Sequence, residues 1–258
     1  MDLGIKDRLV LVTASASGIG KAVSEVFLQE GCNVIMNDKD KEKLTSVVQS
    51  FSKLYPSMKI DYCVADLLIP AQRRYLRDYI IDKYGYLDIL VSNLGNGKAM
   101  ADNKLLADEW DRLVNINLLS TVGILDEFIT VFKNQQRGSI VLISSITALE
   151  RSGAPYAYSA AKSALLTLNK NLSVELAEYG IRINCVIPGN VFFPGGRWEE
   201  IIRHDPDGTR EFIEREVPFK RFATPEEIAD AVVFLASERS SFTTGAYLAV
   251  DGGQTKRF

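Results

Sequence analysis

A chain of 258 residues holds one large domain or two small ones, and 47% hydrophobic with 24% charged residues is the composition of a soluble globular protein. The formal net charge of −3 removes the electrostatic case for nucleic acid or an anionic membrane surface. Three distant cysteines, Cys32, Cys63 and Cys185, exclude a fully paired disulfide framework and lack zinc-site spacing, and the single histidine, His204, disfavours a Ser-His-Asp triad or a histidine-rich metal site.

Asp2, Lys6, Asp7 and Arg8 lead directly into Leu9-Val10-Leu11-Val12-Thr13, an apolar run expected as the first strand. That leaves no room for a signal peptide, and the expected location is cytoplasmic. A turn with Gly18 and Gly20 follows, then a helix from Lys21 to Glu30, ended by Gly31. Asn33 to Asn37 is a second strand, Lys41 to Leu54 a helix polar on one side, and Ile60 to Ala65 a third strand. Ala71 to Tyr84 is expected as a helix and Leu87 to Val91 as a strand. A helix from about Asp108 to Lys133 leads to the strand from Ser139 to Ile143. A long helix from about Ala157 to Tyr179 leads to a strand from Arg182 to Ile187, closed by Pro188-Gly189. After an irregular, charged stretch, Pro225 to Ser237 is helical and Ala246 to Val250 is the last strand. No apolar run approaches a membrane span.

Strands and helices that alternate in this way imply parallel strands joined by right-handed helical crossovers. No linker, composition break or repeat divides the chain. It reads as a single doubly wound α/β domain over residues 1–258, a Rossmann fold with a parallel sheet. In such sheets the ligand sits beyond the carboxyl ends of the strands, near the switch point. Every motif below falls at such an end or on the helix after one.

Thr13-Ala14-Ser15-Ala16-Ser17-Gly18-Ile19-Gly20 joins the first strand to its helix. Glycines there let a backbone approach a pyrophosphate, and the helix N-terminus offers N–H groups and the positive end of its dipole. Asp38 closes the second strand, where a carboxylate accepts ribose hydroxyls and repels a 2′-phosphate. Lys39 beside it offsets only part of that repulsion, and on Asp38 NAD is favoured over NADP. In mid-chain, Tyr158-Ser159-Ala160-Ala161-Lys162 sets a phenol and an ammonium one helical turn apart. An ammonium that close favours the phenolate and is expected to lower the tyrosine pKa from about 10 towards neutrality. Taken alone, such a pair is more often an ordinary surface feature.

With these residues in view, the sequence resembles the short-chain dehydrogenase/reductase family over nearly its whole length. The family's TGxxxGxG loop corresponds to Thr13–Gly20, with Ala14 in place of the first glycine. Its adenine-contacting acidic position resembles Asp66, followed by Leu67, and its NNAG segment resembles Ser92-Asn93-Leu94-Gly95. Asn117 matches the tetrad asparagine, and Ser145 the serine upstream of Tyr158 and Lys162. Pro188-Gly189-Asn190-Val191 matches the nicotinamide-side loop, with Phe193 where threonine is frequent. Thr244-Gly245 to Asp251-Gly252-Gly253 resembles the C-terminal strand region.

The resemblance implies an oxidoreductase that moves a hydride between NAD(P) and a secondary alcohol or ketone. It implies that Tyr158 exchanges the proton, Lys162 holds the nicotinamide ribose and tunes Tyr158, Ser145 orients the substrate oxygen, and Asn117 anchors a water in a proton relay. Thr13, Ser15, Ser17, Gly18, Ile19, Gly20, Asp38, Lys39, Asp66, Leu67, Asn93, Gly95, Pro188, Gly189 and Val191 are the implied cofactor contacts, together with Tyr158 and Lys162. The segment 190–220 resembles the family's substrate lid, with Phe192, Phe193, Trp198 and Phe212 as apolar surface and Arg197, Arg203, Arg210 and Arg215 as candidate anion contacts. Lys98 is a further candidate substrate contact. Five basic against seven acidic residues in that segment do not establish a basic pocket. The overall pattern is similar to β-ketoacyl-carrier-protein reductases and to sugar or polyol dehydrogenases. Asp38 favours an NAD-linked sugar, polyol or hydroxy-acid dehydrogenase acting on a small molecule. An NADPH-linked 3-oxoacyl-carrier-protein reductase and a non-catalytic nucleotide sensor are the alternatives. The resemblance also implies a homotetramer.

Overall fold

Among the described residues, seven parallel strands form one sheet: Leu9–Val12 (β1), Asn33–Asp38 (β2), Ile60–Val64 (β3), Ile89–Ser92 (β4), Gly138–Ile143 (β5), Ile181–Pro188 (β6) and Tyr247–Val250 (β7). The structure, a computed structural model, describes residues 2–100 and 105–256. Strand order is β3-β2-β1-β4-β5-β6-β7, so the chain reverses direction across the sheet between β1 and β4. Register places Leu11 beside Ile35 on one side and Leu90 on the other. The loops after β1 and β4 part at that switch point and leave a crevice.

The helices are Gly18–Gln29 (α1), Lys41–Leu54 (α2), Pro70–Tyr84 (α3), Ala107–Val114 (α4), Ser120–Gln135 (α5), Tyr156–Ala177 (α6), Arg197–His204 (α7), Pro206–Glu216 (α8) and Pro225–Ala236 (α9). Successive strand residues point to opposite faces, which splits the core in two. Val10, Val12, Val34 and Met36 pack with Phe27 of α1 and Val232 of α9. Leu9, Leu11, Ile35 and Leu90 pack on the other face with Ile80 of α3 and Phe128 of α5. Each such fully buried side chain stabilises the fold by about 1.5–3 kcal/mol.

The helix expected over 108–133 is not continuous. A five-residue π turn, Asn115–Leu119, separates α4 from α5. Asn117 marks the break: its side-chain amide donates to the Leu113 carbonyl oxygen at 2.9 Å, taking over an acceptor of the helix ladder, while the same side chain bonds Asn96 of the β4–α4 loop. By length and composition the stretch Ala107–Gln135 could cross a membrane, with a mean hydropathy of 1.3 in its most apolar window. Its buried residues, among them Ile124, Leu125, Phe128 and Phe132, belong to the core beneath the sheet.

Candidate active site

The β1–α1 turn is held from behind. Thr13 Oγ1 donates to the Val91 carbonyl oxygen (3.2 Å) and accepts from the Asn93 N–H (2.9 Å). The Ser15 hydroxyl donates to the Asn37 carbonyl oxygen at 3.1 Å. A Cβ on Gly20 would lie 2.3 Å from the Ala14 carbonyl oxygen, so only glycine fits where α1 crosses the turn. Thr13, Ser15 and Gly20 therefore shape the turn without lining the cleft in front of it. Ser17, Gly18 and Ile19 do line that cleft, a cavity of about 430 Å³.

The cleft continues along the strand ends. Asp38 accepts the Ala16 N–H on Oδ2 and the Asp40 N–H on Oδ1, both at 3.1 Å, and each oxygen keeps a lone pair. Lys39, Asp66, Leu67, Asn93 and Gly95 line it, as do Pro188, Gly189 and Val191 on the far side. The Lys39 ammonium lies 3.9 Å from Asp66, so its charge is shared away from Asp38. Asn37, Leu68, Asn96 and Ile116 also line the cleft. Sequence reasoning did not reach them, because they become neighbours only through the sheet order.

At the inner end stand the four residues that the resemblance had grouped. Ser144 is consumed structurally, its hydroxyl donating to the Lys162 carbonyl oxygen at 2.8 Å. Ser145, beside Ser144 in the cleft wall, accepts the Thr147 N–H at 3.3 Å and hydrogen-bonds Tyr158. Lys162 is 3% exposed, and its ammonium donates to the Ile143 carbonyl oxygen at 2.8 Å. Its nitrogen also lies 5.9 Å from the centre of the Tyr158 ring. Asn117 accepts the Asn96 N–H at 2.8 Å and donates to the Asn96 and Leu113 carbonyl oxygens at 2.9 Å. Both its amide protons are spent, which leaves one Oδ1 lone pair for any further contact. A Cβ on Gly95 would touch the Lys162 nitrogen and Asn117 Oδ1, at 2.9 and 3.0 Å, so glycine lets these two groups share one corner. Tyr156, half exposed, and exposed His204 line neither this cleft nor the adjoining cavity.

The electrostatics correct one expectation. Burial drives the Tyr158 pKa up, against a smaller opposing effect of the Ser145 hydrogen bond. Burial also pushes the Lys162 ammonium down to about 8. Helical spacing captured the nearby cation but not the loss of water that both groups suffer.

A second cavity, about 800 Å³, opens on the same residues, sharing Ser145, Tyr158 and Gly189 with the cleft. Trp198, Ile201 and Phe212 of the segment 190–220 form its apolar side. Trp198 stacks on Phe212 with ring centres 5.3 Å apart. Of the four arginines singled out there, Arg197 and Arg215 line the cavity, whereas Arg203 and Arg210 do not. Lys98 does not line it either; its ammonium reaches Glu200 of α7 at 2.8 Å and ties the β4–α4 loop to that helix.

The family model described as "Enoyl-(Acyl carrier protein) reductase" matches residues 13–255. The 3-oxoacyl-(acyl-carrier-protein) reductase FabG of Thermotoga maritima is 33% identical over 249 residues, covering 96% of this chain and 98% of its own. The chain belongs to the short-chain dehydrogenase/reductase family. A subunit of (2S)-((R)-hydroxy(phenyl)methyl)succinyl-CoA dehydrogenase from Thauera aromatica is 34% identical, covering 98% of both chains. The L-sorbose reductase of Gluconobacter frateurii, complexed with NADPH and L-sorbose, superposes with a TM-score of 0.93 at 26% identity over the full length of both chains. The chain is an NAD(P)-dependent oxidoreductase of this family.

Two departures from the short-chain dehydrogenase/reductase pattern have structural consequences. Ala14 adopts φ = +49°, a left-handed conformation that costs about 1 kcal/mol for a residue with a Cβ. Asn93 Nδ2 donates to the Thr13 and Ala14 carbonyl oxygens, at 3.2 and 3.1 Å, and holds the strained residue in place. Phe193 replaces the frequent threonine, and its ring lies over Gly18 and against Gly196. A Cβ on either glycine would meet that ring within 3.0 Å, so both glycines make room for it.

Proposed function

We propose that this short-chain dehydrogenase/reductase interconverts a secondary alcohol and a ketone, with Tyr158 as the proton-exchanging group. The observation that carries the reading is the junction of the two cavities: Ser145 and Tyr158 face both, with Lys162 behind them on the cofactor side. A nicotinamide bound in the cleft would supply or accept the hydride. Ser145 holds the substrate oxygen towards Tyr158, and Tyr158 gives the proton to it in reduction or takes it in oxidation. Lys162 keeps two N–H bonds beyond the one given to Ile143, and these would hold the nicotinamide ribose. Asn117 fixes the Gly95–Asn96 loop against Lys162, and its free Oδ1 lone pair serves the relay to solvent. Residues 190–220, with α7 and α8, act as the substrate lid. The substrate is a sugar, polyol or hydroxy acid; the acyl-carrier-protein reductase remains the competing assignment because of the FabG relative.

Cofactor choice rests on Asp38. A 2′-phosphate about 4 Å from this carboxylate is disfavoured by up to about 4 kcal/mol at an effective dielectric near 20, and by less after salt screening. NADH is expected to be preferred over NADPH by about 100-fold in kcat/KM. Asp38→Ala should cut that preference at least tenfold. Equal use of both cofactors by the unaltered enzyme would refute the assignment.

We also propose a homotetramer. Supporting it, β7 is an edge strand with Tyr247 46% exposed, Phe242 nearby is fully exposed, and Leu119 and Val122 stand out by the start of α5. Such apolar surface and an unpaired edge are normally covered. Sedimentation at micromolar concentration should give four chains; a monomer would rule the assembly out.

A further inference from the structure

The larger cavity is lined by three arginines, Arg151, Arg197 and Arg215, and by three carboxylates, Glu109, Glu150 and Glu216. Its three lining carboxylates are all engaged. Glu109 is bound by the Arg112 guanidinium at 2.7 Å, which holds its carboxyl down to about 2. Glu150 accepts the Lys256 N–H at 3.1 Å. Glu216 is shared by Arg215 at 2.8 Å and the Lys256 ammonium at 3.3 Å. On the lid, Glu200 is likewise shared by two cations, Arg197 and Lys98, at 3.0 and 2.8 Å. Two carboxylates thus serve four cations. Arg151 lines the same cavity and, among the described residues, has no carboxylate or hydrogen-bond partner.

Arg151 sits on the loop between β5 and α6. That loop runs over 144–155, with Ser145 near its start and Tyr158 in the first turn of α6 beyond it, so one short segment carries both the group that would hold the reacting oxygen and an unpaired guanidinium. Thr147 lies between them, with its hydroxyl buried and unpaired. Trp198 and Phe212 give the same cavity an apolar side. A guanidinium is built for two-pronged contact with a carboxylate or phosphate.

Resting on the oxidoreductase reading above, we propose that the substrate is a ketone or secondary alcohol that carries an anionic group, carboxylate or phosphate, and that Arg151 binds that group while the body of the molecule lies against Trp198 and Phe212. Within the classes named above, this selects acids and phosphate esters over neutral sugars and polyols. Arg151 is then the specificity-determining residue of the cavity.

The test uses matched ketones with NADH: phenylglyoxylate against its methyl ester, and dihydroxyacetone phosphate against dihydroxyacetone. The unaltered enzyme is expected to favour the charged member of at least one pair by tenfold or more in kcat/KM, and the favoured pair tells carboxylate from phosphate. Arg151→Gln should raise KM for that charged ketone about 10- to 100-fold with kcat within about threefold, and Arg151→Lys should restore part of it. Equal use of charged and neutral members, with NADH consumed, overturns the proposal and leaves the oxidoreductase reading intact. If no ketone consumes NADH, the oxidoreductase reading fails, and the anion site is read by calorimetric titration of phenylglyoxylate and dihydroxyacetone phosphate into the NAD-loaded protein. Binding of one of them at least tenfold weaker in Arg151→Gln supports the site, and affinities unchanged by the substitution, or no binding of either, overturn it.

Discussion

Tyr158→Phe is expected to lower ketone reduction by about 1,000-fold while the Kd for NADH stays within about threefold of the unaltered enzyme. The phenol hydroxyl is the one acidic group at the junction of the cofactor cleft and the substrate cavity that also hydrogen-bonds Ser145. Removing it deletes the proton donor and leaves the ring, which lies so near Gly97 that a Cβ there would stand 3.4 Å from it. Fold and cofactor cleft are therefore expected to survive. Burial raises the phenol pKa, so Tyr158 is a protonated donor at neutral pH, suited to reduction. Alcohol oxidation, which needs the phenolate, is expected to accelerate as pH rises above neutrality. Activity within a few fold of the unaltered enzyme in Tyr158→Phe would remove the tyrosine from the chemistry.

Lys162→Met is expected to cost about 100- to 1,000-fold in turnover and to change the pH dependence of stability. The buried ammonium has its pKa displaced downward from 10.5 to about 8. Between those values the unfolded chain holds a proton that the folded chain has released, so stability rises with pH across the window. The folded state carries a penalty of about 3 kcal/mol below pH 8 that is progressively relieved towards pH 10.5. The substitution removes both the penalty and the bond to the Ile143 carbonyl oxygen, and an orphaned acceptor costs about 1–3 kcal/mol. At pH 7 the two effects nearly cancel, and the variant should unfold at a similar denaturant concentration. From pH 8 to 10.5 the unaltered protein should gain on the variant by about 3 kcal/mol. Cys185, the thiol that feels the Lys162 charge, is pushed up by burial to about 12 and so lies above this window. Denaturant titrations at several pH values read this difference directly, and a difference that stays flat would contradict the buried-ammonium assignment.

Much of the fold was legible because the sheet is buried on both faces. Its strands read as short apolar runs, and glycines or prolines mark their ends. The helix at Lys41–Leu54 begins where expected because Asp40 caps it, its carboxylate accepting the Lys43 N–H at 3.1 Å. The π turn was not legible. It depends on Asn117 bonding Asn96, twenty-one residues away, as well as Leu113. The residues around the cleft were legible where a motif spaces them, as at Tyr158 and Lys162. Their ionisation was not, because burial is a property of the packed chain. Charge in the lid segment pointed to four arginines, yet Arg203 and Arg210 lie outside the cavity and the other two are paired with glutamates. Arg151 sits in no motif, and its lack of a partner emerges only once the carboxylates around it are seen to be occupied.

The decisive measurement is the absorbance of reduced nicotinamide during incubation of the purified protein and NADH with a panel of charged and neutral ketones. Consumption of NADH with at least one ketone, abolished by Tyr158→Phe, is the predicted result. Tight NADH binding with no consumption across the panel would mean that this site holds a nucleotide without catalysing hydride transfer.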